Sequence, residues 1–177
     1  MIAGQLAAKI RQVRLLLLDV DGVLTDGMII MDDAGRESKH FDVRDGHGLK
    51  MLIRTGIAVV LLTGRRSLVV EYRARELGIV EVHQGILRKL DVLEEILQRH
   101  GLPAAAIAYV GDDLVDIPVL KRVGFAAAVA DATEEVKARV DYVTASAGGR
   151  GAVRELCELI MKTQGTWAEV TARYELD

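Results

Sequence analysis

Cysteine is all but missing from this chain: Cys157 is the only one in 177 residues. No internal disulfide can form, which excludes a secreted, disulfide-stapled scaffold. Cys157 falls on the apolar stripe Val153, Leu156, Ile160 and reads as a core residue, not a nucleophile. No apolar run reaches the roughly 20 residues of a membrane span, and the first residues carry no signal-peptide pattern. A soluble, cytoplasmic protein is expected. An excess of positive charge is also lacking, since 23 Lys and Arg face 26 Asp and Glu, for a formal net charge of -3. That balance speaks against a nucleic-acid binder. It does not exclude an anionic small molecule, because a few cations or a metal set the field inside a pocket. Internal repeats, low-complexity tracts and linker-like breaks are absent as well. A single domain over 1–177 follows, long enough for a sizeable core.

What is present is organised around Leu15-Leu16-Leu17-Leu18-Asp19-Val20-Asp21-Gly22. Four leucines are too few for a helix and suit a central parallel strand, apolar on both faces. Asp19 and Asp21 stand where that strand ends, and ligands of open α/β sheets bind beyond the carboxyl ends of strands. Residues i and i+2 of an extended chain point the same way. Two carboxylates so placed repel unless a cation relieves them. The reading is a divalent metal with oxygen ligands, magnesium.

Downstream, strands and helices alternate. Residues 1–12 form an amphipathic lead-in helix with Ile2, Leu6 and Ile10 on one face. Residues 27–41 carry a hairpin signal around Asp32-Asp33-Ala34-Gly35, in a place where it projects over the mouth of the site. Asp42, Val43, Arg44, Asp45 and Gly46 form a loop that contacts substrate and feeds a helix with Leu49, Leu52 and Ile53 buried. Lys50 lies near that helix's start, where free backbone N–H groups favour an anion, and His47 is a loop residue. Strand 57–62 ends in Thr63-Gly64-Arg65, a hydroxyl and a glycine suited to phosphate oxygens. Helix 67–77 carries Arg73 on its apolar face. Strand 79–83 precedes a helix opened by Lys89, a position that the helix dipole mildly disfavours. Strand 106–110 ends in Gly111-Asp112-Asp113-Leu114-Val115-Asp116, carboxylates again at a strand's carboxyl end. A helix 114–123, a strand 125–129, a short helix from Thr133, an edge strand at 141–143, a glycine-rich loop 147–151, a helix 152–162 and a polar tail with Trp167 complete the pattern. The fold expected is a doubly wound, Rossmann-like, mostly parallel α/β sheet.

Four segments in this order, DVDGVLTDG at 19–27, Thr63-Gly64, Lys89 and GDDLVD at 111–116, resemble the motifs of the haloacid dehalogenase superfamily. The intervals that usually hold a cap domain are short here, so the resemblance implies a capless member with only the hairpin 27–41 in that place. It implies catalytic roles for Asp19 as nucleophile and Asp21 as acid and base. Thr63 and Lys89 hold the phosphate. Magnesium is held by Asp19, the backbone carbonyl of Asp21, and Asp112, with Asp113 and Asp116 as supports. Further likeness in Lys39-His40-Phe41, Arg44-Asp45-Gly46 and 147–155 points to the branch that dephosphorylates keto-sugar acid phosphates as homotetramers. The expected substrate is an eight-carbon acid phosphate, its carboxylate met by Arg65 and by Arg73 reaching a neighbouring subunit. Substrate contacts then comprise Asp21, Asp42, Val43, Arg44, Asp45, Gly46, Lys50, Thr63, Gly64, Arg65, Arg73 and Lys89. The alternatives are a nine-carbon sialic-type acid phosphate, another superfamily chemistry such as dehalogenation, or a non-catalytic oligomerising module.

Overall fold

The structure is a computed structural model and describes residues 4–175. Its centre is the leucine strand β1 (Leu15–Leu18), all four side chains buried. Each such burial contributes about 1.5–3 kcal/mol. β1 pairs in parallel with β4 (Ala58–Leu62) on one side and β6 (Ile107–Gly111) on the other. β5 (Glu81–His83) adds outside β4, and β7 (Phe125–Ala128) and β8 (Tyr142–Val143) outside β6. The order β5-β4-β1-β6-β7-β8 is parallel throughout. The chain leaves β1 toward β4 and later returns to β6, so the topological switch lies beside β1. That is where an open α/β sheet binds its ligand.

Helices α3 (Leu68–Leu77) and α4 (Lys89–His100) follow β4 and β5. Right-handed crossovers in opposite directions put them on opposite faces of the sheet. A layer of α1 (Gly4–Gln12), α2 (Val43–Arg54) and α7 (Ala152–Gln164) covers one face. Ile2, expected on the apolar face of α1, lies outside the described residues. The expected hairpin is present as β2 (Ile30–Met31) and β3 (Glu37–Ser38), antiparallel, with Met28, Ile29 and Met31 exposed.

Three expectations need correction. The 42–46 segment is not a loop. Asp42 caps α2 by accepting from the Arg44 N–H at 2.6 Å, so the helix starts at Val43 and runs through Gly46, His47 and Gly48. Glycines are poor helix formers, by about 1 kcal/mol each, which is why the stretch reads as a loop. Packing overrides propensity: a Cβ on Gly48 would meet the Arg154 Cα at 3.1 Å, and its absence lets α7 lie against α2. Lys50 therefore sits two turns into the helix, beyond reach of the N-terminal amides. The helix expected over 114–123 is a 3-10 turn at 114–116 followed by α5 (Ile117–Leu120), with α6 (Glu134–Lys137) after it. The polar tail folds into α8 (Trp167–Thr171) and a 3-10 turn. Lys162 lies over the Trp167 ring, and Tyr174 bonds His47 Nε2 at 2.8 Å. Cys157 is buried in the core, and burial pushes its thiol well up.

Candidate active site

The carboxyl ends of β1, β4 and β6 deliver one residue each to a cleft of about 340 Å³: Asp19, Thr63 and Asp112. The cleft is also lined by Asp21, Gly64, Arg65, Lys89 and Asp113, with Ile86, Leu87 and Val115 as an apolar wall. Asp19 is buried and faces Lys89 Nζ at 3.0 Å, while its Oδ1 accepts from the Val20 N–H at 2.7 Å. Thr25 shapes the turn after β1, its hydroxyl accepting from the N–H groups of Gly22 and Gly27 at 3.3 and 3.2 Å. At Gly22, φ is +90° and a Cβ would fall 2.1 Å from Asp112 Oδ2. Only glycine lets the first and fourth motif approach this closely.

Lys89 is buried at the first turn of α4, where the dipole opposes a cation. Two carboxylates compensate: Asp19, and Asp116 at 2.7 Å. Burial alone would lower its pKa, but these neighbours outweigh burial and hold the ammonium charged. Asp116 is fully enclosed and spent, accepting from Lys89, from the Tyr109 hydroxyl at 2.6 Å, and from the N–H groups of Asp112 and Asp113. Asp19, Asp112 and Asp116 offer oxygens within 4.8 Å of one another. Asp116 has no capacity left, however, whereas Asp112 Oδ1 is buried without any partner. Burial, then Asp116 against the relief from Lys89, pushes Asp19 up to about 6. Burial, then Asp19 and Asp116, pushes Asp112 up to about 8. Two destabilised carboxylates and an orphaned oxygen are what a small divalent cation would satisfy.

The remaining expected site residues lie elsewhere in the same chain. Val43, Gly46, Lys50 and Arg73 line a separate groove with His47, Glu76 and Leu77. Arg73 pairs with Glu76 at 2.8 Å, approaches the Asp42 carbonyl, and lies over the Phe41 ring. Asp42 and Arg44 pair with each other. Asp45 is buried, its carboxylate receiving the N–H groups of Arg154 at 2.7 Å and Gly151 at 3.2 Å. It holds the N-terminus of α7, and the desolvation that raises its pKa is partly offset by these bonds.

A protein-family model described as haloacid dehalogenase-like hydrolase matches residues 69–156. The Escherichia coli K12 protein named 3-deoxy-D-manno-octulosonate 8-phosphate phosphatase KdsC is 46% identical over 164 residues, 93% of this chain and 87% of that one. This chain belongs to the 3-deoxy-D-manno-octulosonate 8-phosphate phosphatase family of haloacid dehalogenase-like hydrolases. The Yersinia pestis enzyme of that name is 45% identical over 92% of this chain. Among solved structures, the Moraxella catarrhalis phosphatase in complex with magnesium, phosphate and KDO superposes with a TM-score of 0.96. It is 40% identical over 98% of this chain and 99% of that one. The cobalt-bound Haemophilus influenzae enzyme gives 0.89 at 40% identity, over 96% and 99% of the two chains.

In this member of the phosphatase family, the hairpin brings two charges to the cleft: Glu37, which no motif singled out, and Lys39, which the likeness at 39–41 includes without a role. Lys39 has a side chain only 1% exposed and donates to Asp21 Oδ1. Glu37 accepts from Lys39 at 3.3 Å and from Arg65 at 3.2 Å. Glu37 opens the two-residue β3 and Lys39 follows its end, too short a strand for any alternation to mark the pair. Tyr109, wholly buried beneath Lys89, was also missed, because a tyrosine in an apolar strand reads as packing.

Proposed function

We propose that the chain, as a single capless domain acting in the cytoplasm, hydrolyses 3-deoxy-D-manno-octulosonate 8-phosphate to the free sugar acid and phosphate. The free acid would serve lipopolysaccharide biosynthesis. The observation that carries this reading is the convergence of Asp19, Asp21, Thr63, Lys89 and Asp112 on one cleft, in a chain so similar to phosphatases of that name. Asp19 attacks phosphorus and forms an aspartyl-phosphate, while Asp21 gives its proton to the departing sugar oxygen. Asp21 then takes a proton from water, which attacks phosphorus and frees the Asp19 carboxylate. Thr63 and Lys89 hold the phosphoryl oxygens, with Lys89 exchanging Asp19 for an incoming anion. Asp19, the Asp21 carbonyl and Asp112 would hold magnesium, which neutralises charge on the phosphoryl group when bound.

The substrate's far carboxylate needs a second cation. Arg65 stands on the cleft's rim, and Arg73, outside the cleft of its own chain, is read as reaching a neighbour's site in a homotetramer. Segment 42–46 and Lys50, at the groove of Arg73 and not in the cleft, would meet the sugar together with Arg73 at the neighbour's site, with Asp45 acting through the α2–α7 contact. A nine-carbon acid phosphate is the second reading, disfavoured by a cation at residue 65, where that class carries an acidic residue. Arg73→Ala should cost about 1.5–3 kcal/mol in kcat/KM on the eight-carbon substrate, the scale of a charged hydrogen bond. Hydrolysis of an aryl phosphate should barely change. Equal losses on both would make Arg73 structural. Light scattering at micromolar concentration should give a tetramer, and a monomer would remove the route by which Arg73 acts.

A further inference from the structure

Four charges meet where the hairpin touches the cleft, and their pairing is uneven. Lys39 Nζ rests on Asp21 Oδ1 and also contacts Glu37. Arg65 donates from Nη2 to Glu37 at 3.2 Å, while its Nε stops 3.9 Å from Asp21 Oδ2. That distance is too long for a hydrogen bond, and Asp21 Oδ2 is left without a partner. A guanidinium beside a carboxylate ordinarily closes onto it through two parallel bonds. Arg65, already aimed at Asp21, is kept from closing because Glu37 takes the other arm of its fork. The hairpin ladder has only two residue pairs, too few to hold the segment by backbone bonds alone. The ionic contacts of Glu37 and Lys39 therefore also fix the hairpin on the cleft.

We infer that Glu37 is a positioning residue that holds Arg65 off Asp21, keeping the buried Oδ2 of the acid–base carboxylate unpaired and so free to serve the leaving group. The inference deepens the phosphatase reading and rests on Asp21 as the proton donor. It does not depend on Arg65 binding the substrate carboxylate. Glu37→Gln keeps the shape of the side chain but loosens its hold on the guanidinium, so Arg65 closes on Asp21 and occupies Oδ2. The consequence is a fall in kcat on every phosphate ester, including an aryl phosphate with no carboxylate.

The test is a double-mutant cycle read on aryl-phosphate hydrolysis with saturating magnesium. Glu37→Gln should lower kcat about tenfold, the scale of one charged hydrogen bond wrongly made. Adding Arg65→Met to Glu37→Gln should remove that loss, bringing turnover to that of Arg65→Met alone. The same loss in both backgrounds would mean that Glu37 acts through the hairpin or the fold, and the proposal falls. No loss in Glu37→Gln would overturn it equally. The carboxylate reading of Arg65 is tested separately, by whether Arg65→Met raises KM for the sugar-acid phosphate. Thermal unfolding of the Glu37→Gln protein, expected within a degree or two of the parent, separates a lost contact from a lost fold.

Discussion

Asp19→Asn should abolish turnover, lowering kcat by several orders of magnitude while leaving the protein folded. The amide has the carboxylate's shape and its oxygen can still accept from Lys89, 3.0 Å away. It cannot attack phosphorus. Asp19 is not a stabilising anion in the metal-free state, because burial and Asp116 push its pKa up to about 6 despite Lys89. Removing that charge also removes a like-charged neighbour of Asp112. The variant also takes one of two anions from the buried Lys89, which Asp116 still holds at 2.7 Å, so thermal unfolding of the metal-free variant should stay close to that of the parent. Phosphate release from a sugar-acid phosphate with magnesium measures the loss. Near-normal turnover in Asp19→Asn would end the covalent mechanism, and collapse of the fold would mean that the Lys89 pair matters for stability more than burial allows.

The site was legible in the sequence where chemistry coincides with a strand end. Asp19, Thr63 and Asp112 each follow an apolar run, and the parallel register of β1, β4 and β6 aligns those ends. Lys89 stood out because a cation is out of place at a helix start, and the structure supplies the two carboxylates that explain it. The residues on α2 that are proposed to meet substrate were harder to read, for a physical reason. Local propensity places Gly46 and Gly48 in a loop, and what packs against them is distant in sequence: Arg73 and Leu77 at Gly46, and Arg154 and Cys157, more than a hundred residues away, at Gly48. Asp45 illustrates the same limit: beside Arg44 and Gly46 it looks like a solvated loop carboxylate, yet it is buried against the first turn of α7. Glu37 and Lys39 were hidden differently. Their chemistry depends on where a two-pair hairpin folds back, which no periodicity within the hairpin encodes.

Withdrawal of magnesium should stop catalysis and, in the same sample, make stability depend on pH in a direction opposite to ordinary acid denaturation. Asp112 is pushed up to about 8 and Asp19 to about 6, both from 3.8. Between about pH 4 and pH 8 the metal-free fold thus binds more protons than the unfolded chain. Stability contributed by these groups is present at the acid end and is lost as pH rises through the folded-state values. The slope is at most about 1.4 kcal/mol per pH unit for each proton. Solvent at the open edge of Asp112 screens part of this, leaving on the order of a few kcal/mol across the window. A bound divalent cation holds both carboxylates ionised and removes the slope, so the gain in Tm from magnesium should widen from pH 5 to pH 8. At pH 7, binding should also release close to one proton, mainly from Asp112. Calorimetric titration in two buffers of different ionisation enthalpy measures that release, and unfolding with and without chelator measures the slope. A magnesium-induced shift in Tm that stays constant from pH 5 to pH 8, with no proton released, would mean that Asp19 and Asp112 are already ionised in the metal-free protein. The cation would then have no charge frustration to relieve.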